Sequence, residues 1–319
     1  MSGNDRPRPV VLLTGAAGQL GFELVRSLAP IGDVRTFDRT QLDLADATTL
    51  RACVRTIRPA LIVNAAAYTG VDAAETDVVA CHAVNAIAPA VLADEAARCG
   101  AGIIHYSTNY VFDGTSARAY REGDAASPVN VYGATKLEGE HGVSASGAPY
   151  LVFRTSWVYS LRGHNFLCTM RRLFREREEV SVVSDEFGTP TWSRMLANAT
   201  ASIVAAKFLG PEHADAMRGI EGLYHLVARD ATSRFDFASA IRELDPLRSL
   251  HQVRNLRSIS TGELPASARR PANGVLDSSR LEDRLGVRLP DWRTQLALCM
   301  ADARSRDHEG CFGSSKRPG

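Results

Sequence analysis

The stretch Val10–Leu28, VVLLTGAAGQLGFELVRSL, constrains the fold more than any other part of the sequence. Its apolar opening, Val10–Leu13, has the pattern of a strand buried on both faces. Gly15, Gly18 and Gly21 follow as G-x-x-G-x-x-G, and Phe22, Leu24, Val25 and Leu28 then recur at helical intervals. Strand before and helix after are the context in which such a turn binds a dinucleotide. Glycines there permit a tight turn, close approach of the backbone to a pyrophosphate, and tight packing of helix on strand. The free N–H groups and positive dipole end of the helix then face the anion.

The 319 residues are enough for one large core, or a core plus a smaller lobe. Hydrophobic residues at 45% and charged residues at 23% make an ordinary soluble composition. A formal net charge of +1 gives no field to attract nucleic acid or an anionic membrane. The sequence reads as having no apolar run near the roughly 18 residues that span a bilayer. The polar start MSGNDRPRP lacks the apolar stretch of a signal peptide. Cys53, Cys81, Cys99, Cys168, Cys299 and Cys311 are scattered without a C-x-x-C pair, the pattern of reduced thiols and not of a zinc site. A soluble cytoplasmic protein is expected, with no metal and with residues 1–9 and 304–319 as disordered tails.

After the first helix, Asp33–Phe37 reads as a second strand ending at Asp38-Arg39. An acid there accepts hydrogen bonds from an adenosine ribose, whereas an arginine suits a 2′-phosphate, so NADPH and NADH both stay open. Asp43-Leu44 leads into a helix over Ala47–Ile57 that stops before Pro59. Ala60–Asn64 is a third strand, followed by the small residues Ala65–Ala67. Asp77–Cys99 is a long helical segment, and Gly102–Tyr106 is a fourth strand. Strands alternating with helices at these spacings imply right-handed βαβ units and a doubly wound parallel sheet, an α/β fold of Rossmann type.

The fourth strand runs into Ser107-Thr108-Asn109-Tyr110, at the carboxyl end where open α/β sheets bind ligands. Tyr132 and Lys136, in NVYGATKLEGE, stand i, i+4 on one face of a helix. A free tyrosine, with a pKa of about 10, is a poor acid–base group near neutrality. An adjacent ammonium is expected to lower that pKa. A tuned tyrosine passes a proton to a carbonyl oxygen as hydride reaches its carbon.

Together these residues resemble the extended short-chain dehydrogenase/reductases, and within them the dTDP-4-dehydrorhamnose reductase family. The resemblance runs through GAAGQLG, IRPALIVNAAAYTGVDAAE, HYSTNYVFDG, NVYGATKLEGE, FRTSWVYS, the long segment from Asn165 to Trp192, and PASARRPANGVLDSSRLE. It implies that Gly18, Gln19 and Leu20 touch a pyrophosphate, that Asp38 meets the adenosine ribose, and that Asp43 and Leu44 lie beside the adenine. Ala67, Tyr68 and Thr69 match the segment under the cofactor near its nicotinamide. Tyr132 matches the proton donor, Lys136 its partner at the nicotinamide ribose, and Thr108 the hydroxyl that tunes the tyrosine. Trp157 matches an indole beside the sugar. Arg269 and Arg270 lie where that family keeps its nucleotide-sugar side, and a guanidinium suits a diphosphate.

The implied activity is reduction by NADPH or NADH of the C4 keto group of a dTDP-4-keto-6-deoxy-L-hexose, with the dTDP-sugar as partner and a homodimer allowed. Two departures bear on the sugar. Asn109 replaces the family's acid in S-T-D-Y, and Glu186 replaces glutamine after Asp185. They leave open another dTDP-4-keto sugar of an antibiotic pathway, as in dTDP-L-dihydrostreptose synthesis. A cofactor-binding regulatory subunit without turnover is a further alternative. The expected organisation is a Rossmann lobe over 10–158 with 192–208, and a smaller C-terminal substrate lobe over 159–191 with 219–303.

Overall fold

The computed structural model describes residues 8–208, 217–263 and 266–312, with side chains up to residue 304. The chain opens with β1 (Val10–Thr14), α1 (Gln19–Leu28), β2 (Asp33–Thr36), α2 (Ala47–Ile57) and β3 (Leu61–Asn64). Next come α3 (Val71–Ala74), α4 (Val78–His82), a π-helical turn at Ala83–Ile87, α5 (Ala88–Cys99), β4 (Gly102–Thr108), α6 (Val131–Ala145) and β5 (Tyr150–Thr155). Each boundary has a local cause. Asp46 caps α2 by accepting from the N–H groups of Thr48 at 2.9 Å and Thr49 at 3.2 Å. Gly100, with φ +74°, closes α5 in the left-handed conformation. Asn130 caps α6 by accepting from the Gly133 N–H at 2.8 Å.

Six parallel strands form one sheet in the order β10-β5-β4-β3-β1-β2, where β10 is Gly222–His225. Alternate side chains of its strands feed two cores, because both faces are covered by helices. Val11, Leu13, Val63, Ile104 and Phe153 pack with Leu24 and Leu28 of α1 and Leu196 of α8 (Ser193–Phe208). Leu12, Ile62, Ile103 and Val152 pack on the other face with Leu50, Val54, Leu92 and Val143. Each such fully buried side chain contributes about 1.5–3 kcal/mol.

The remaining elements are β6 (Val158–Tyr159), α7 (Phe166–Glu176), β7 (Glu179–Val183), β8 (Phe187–Gly188), β9 (Thr191–Trp192), β11 (Thr232–Ser233), α9 (Arg234–Leu244), β12 (Asn255–Ile259), α10 (Ser279–Leu285) and α11 (Trp292–Phe312). Tyr159, Leu167, Phe174, Val180, Phe237, Ile241 and Leu296, from β6, α7, β7, α9 and α11, form a core of their own.

Three expectations change. Gly222–His225 pairs with β5 in the main sheet, and Met217, Ile220, Tyr224, Leu281 and Leu289 join its core, so part of 219–303 belongs with the Rossmann sheet. The backbone stays helical to Phe312, past the expected end of order at 304. At the other end, Pro9 O accepts from Asp33 N at 2.9 Å, tying Pro9 to the strand edge. Residues 1–7 and 313–319 of those tails lie outside the described residues. Val78–Cys99 is long and apolar enough by composition to cross a membrane, but half of its most apolar window is buried within the fold.

Candidate active site

The glycine turn closes on itself at the carboxyl end of β1. Gly18 N donates to Gly15 O at 2.9 Å. Gly15 has φ +74°, and a Cβ there would stand 2.6 Å from Ala66 N. At Gly21 a Cβ would come within 2.1 Å of Gly15 O, so α1 lies directly on the turn. No side chain caps the start of α1, which leaves its first amides facing the cleft.

That cleft, about 670 Å³, is lined by Gly15, Gly18, Gln19, Leu20, Ala67 and Thr69 on one side. Thr108, Asn109, Tyr132, Lys136, Thr155 and Trp157 line it on the other. Among the described residues, Thr155 Oγ1 and Asn109 Nδ2 are buried without a hydrogen-bond partner, and Asn109 Nδ2 lies against Gly274, outside the cleft lining. A small-residue cradle and uncapped helix amides fit a dinucleotide.

Strand β4 and helix α6 build the reactive wall. Thr108 ends β4 and accepts from Tyr110 N at 3.2 Å, capping the 3-10 turn Asn109–Val111. A Cβ at Gly133 would meet Tyr110 O at 2.1 Å, so glycine there lets α6 settle against that turn. The rings of Tyr110 and Tyr132 meet edge to face with centroids 5.6 Å apart. Lys136 is 1% exposed. Its Nζ donates to Tyr106 O at 2.6 Å and lies 3.2 Å from Nε2 of His105. Glu140, one turn further along α6, pairs with buried Arg154 at 2.7 Å and accepts from the Ser107 hydroxyl.

The electrostatics correct the sequence reading. Burial pushes the Tyr132 phenol up to about 12, with the Thr108 hydroxyl pulling the other way. Lys136 does not lower it, because its ammonium is turned to Tyr106 and His105. Tyr132 therefore keeps its proton at neutral pH, the form a donor needs. Burial brings Lys136 down to about 8, opposed by Glu140.

Other expected residues are placed unequally. Asp38 and Arg39 are exposed at the end of β2, and Asp38 accepts from the Thr40 N–H at 2.8 Å and the Gln41 N–H at 3.0 Å. Asp43 accepts from Ala45 N at 3.0 Å, and neither it nor Leu44 lines the cleft. Tyr68 is held away from the cleft, its backbone gripped by Asn85 at 2.9 and 3.1 Å, inside the π-helical turn. Arg269 and Arg270 line an adjoining cavity of about 1300 Å³. Arg269 is exposed, and Arg270 pairs with Asp72 at 2.6 Å.

Trp157 sits at φ +45° in the cleft wall. Gly188 packs beneath its ring, and the Arg234 guanidinium stacks 3.7 Å from the ring centroid. Arg234 also pairs with Glu186 at 3.5 Å. The charge expected from Glu186 is thus compensated within the protein. Arg234 borders both cavities. Its one signal in the sequence was the unexplained acid at 186, which once buried demands a cation. Gln19 accepts from Ser160 at 3.1 Å and from Asn165 at 2.9 Å, joining the turn to the β6–α7 segment.

A family model described as RmlD substrate binding domain matches residues 9–305. The chain is 45% identical over 300 residues to the dTDP-4-dehydrorhamnose reductase of Burkholderia thailandensis, covering 93% of this chain and 99% of that protein. It is 40% identical over 288 residues to the enzyme of that name from Escherichia coli, covering 89% and 94%. The fold superposes with a TM-score of 0.82 on a Bacillus anthracis dTDP-4-dehydrorhamnose reductase in complex with NADP, at 33% identity over 92% of this chain and 99% of that one. On sequence and fold together, the chain belongs to the RmlD substrate binding domain family of dTDP-4-dehydrorhamnose reductases.

Proposed function

We propose that this protein is an oxidoreductase that uses NADPH or NADH to reduce the C4 keto group of dTDP-4-dehydro-L-rhamnose, giving dTDP-L-rhamnose. The observation that carries it is a protonated phenol, a hydroxyl and a buried ammonium converging on one wall of a cleft whose other wall is a glycine turn. The reduced nicotinamide supplies hydride when bound. Gly15, Gly18, Gln19 and Leu20 receive its pyrophosphate, and Ala67 and Thr69 leave room for a flat ring.

Tyr132 gives its proton to the sugar oxygen as the carbonyl is reduced. Thr108 holds that oxygen beside the phenol, and Lys136 provides positive charge behind it. Arg269 and Arg270 face the nucleotide end, in the larger cavity. We read the Tyr159–Leu296 core and its loops as the smaller lobe that closes over the sugar. Soluble nucleotide substrates and a net charge of +1 favour a cytoplasmic enzyme without affinity for anionic polymers.

Asn109 favours a second reading. It lines the cleft where the family has an acid, so an uncharged amide stands at that point of the wall. The sugar it suits is either the rhamnose precursor or another dTDP-4-keto sugar, as in an antibiotic pathway. Turnover of dTDP-4-dehydro-L-rhamnose is compared with turnover of other dTDP-4-keto sugars under equal NADPH. Highest kcat/KM on the rhamnose precursor upholds the first reading, highest kcat/KM on another sugar upholds the second, and turnover of none contradicts both.

A further inference from the structure

Behind the reactive wall, four buried polar side chains form a row, and the proton-transfer chemistry itself calls on only the last of them, Lys136. Thr14 ends β1, Asn64 ends β3, His105 lies in β4 and Lys136 reaches down from α6. Strand register makes the row: Thr14 is paired with Asn64, and Asn64 with His105. Their exposures are 3%, 1%, 0% and 1%. Thr14 Oγ1 and Asn64 Oδ1 are 2.6 Å apart, Asn64 Nδ2 and His105 Nδ1 are 3.0 Å apart, and His105 Nε2 and Lys136 Nζ are 3.2 Å apart. A row of polar groups across the middle of a sheet is retained only where every member is partnered.

We propose that His105 is a positioning residue for Lys136, fixed through Asn64 and Thr14 to the floor of the glycine turn, and that it holds the lysine as an ammonium in the cleft wall. Both orientations of the Asn64 amide satisfy the row. With Oδ1 toward Thr14, Nδ2 donates to Nδ1 of His105 and the ring offers Nε2–H to an uncharged amine. Turned over, Oδ1 accepts from Nδ1–H and the ring offers its Nε2 lone pair to an ammonium. A bond from the ammonium is charge-assisted and about twice as strong as a neutral one. The charged lysine therefore goes with the turned-over amide, the reverse of the orientation in which Thr14 donates to Asn64 Oδ1.

Burial works against that charge and brings Lys136 down to about 8, while burial and the Lys136 charge hold His105 well below its ordinary range, neutral and able to accept. Lys136 is faced by His105 and Tyr106 from β4, by Cys81 from α4, and by Glu140 from its own helix. Glu140 is tied in turn to Arg154 of β5 and Ser107 of β4.

Lysine occurs in this sequence at positions 136, 207 and 316 alone, so an NMR titration of protein carrying 13Cε-lysine reads Lys136 directly. In the wild type the Lys136 signal is expected to titrate near 8, and its assignment is confirmed by its loss in Lys136→Met. His105→Leu removes the acceptor, and its Lys136 midpoint is expected to fall by about half a unit or more. His105→Gln restores an acceptor and is expected to stay within about 0.3 unit of wild type. If His105→Leu does not fold, His105→Met fills the space and takes its place.

A midpoint unmoved in the apolar variant, or equally lowered in the glutamine variant, overturns the proposal. The kinetic arm rests on the reduction proposed above. In His105→Leu kcat is expected to drop about tenfold, a change of about one rate decade in barrier terms, with KM for the keto sugar nearly unchanged and the alkaline limb of the profile moved to lower pH. His105→Gln is expected to recover most of kcat, and a loss of melting temperature with kcat intact overturns the positioning role. Absence of wild-type turnover contradicts the proposed function alone, since the titration stands without substrate.

Discussion

At the scale of residues the site works by holding two groups on opposite sides of their usual behaviour. Tyr132 keeps its proton because burial raises it to about 12, and Lys136 is brought down to about 8. Tyr132→Phe removes the transferable proton and no packing, so turnover is expected to fall by about 10²–10⁴, while cofactor affinity, measured by fluorescence titration, stays within about threefold. The pH dependence follows from the lysine. Below its midpoint Lys136 is charged; as pH rises through about 8 it loses that charge well before Tyr132 ionises. The kcat–pH profile is expected to fall on its alkaline side around 8; a plateau running beyond pH 10, about where an ordinary lysine titrates, contradicts the assignment.

The pair itself was legible from Tyr132 and Lys136 standing four apart. Its electrostatics were not, because spacing says nothing of Tyr106 O and His105, which claim the ammonium from β4. Arg234 stayed hidden for the same reason, since it reaches Trp157 and Glu186 only through the fold.

At the scale of elements, α6 is set against the turn after β4 by the close approach at Gly133, and against β5 by the buried Glu140–Arg154 pair. Gly133→Ala places a Cβ where Tyr110 O now lies, 2.1 Å away, and α6 must shift. A displacement of about 1 Å in such a site lowers rate by about 10²-fold, so kcat is expected to suffer far more than secondary structure measured by circular dichroism. Arg154→Met leaves Glu140 charged and buried. Breaking a buried pair from one side costs about 3–5 kcal/mol, to be read as a lowered denaturation midpoint in urea.

Most element boundaries were written locally: Asn130 before α6, Asp46 before α2, and Pro59 after it. The π-helical turn at Ala83–Ile87 was not, because its cause is the grip of Asn85 on the Tyr68 backbone, a contact between distant segments.

At the scale of the molecule, a parallel sheet was legible in the alternation of strands and helices, but its last strand was not. Gly222–His225 follows an excursion through the smaller core and returns beside β5, a choice made by packing of Tyr224 and Ile220 and not by periodicity. The assembled cleft is expected to bind NADPH, and binding at about 100 times Kd stabilises the native state by about 2.7 kcal/mol. The melting temperature of the wild type should rise accordingly, and that of Gly21→Ala, whose Cβ collides with the turn at Gly15 O, should not. The most direct test follows the absorbance of NADPH after addition of dTDP-4-dehydro-L-rhamnose, with wild type and Tyr132→Phe side by side. The expected result is one NADPH consumed for each sugar reduced by the wild type, and almost none by the variant although it still binds the cofactor; consumption at the wild-type rate by Tyr132→Phe, or none by the wild type, would contradict the account.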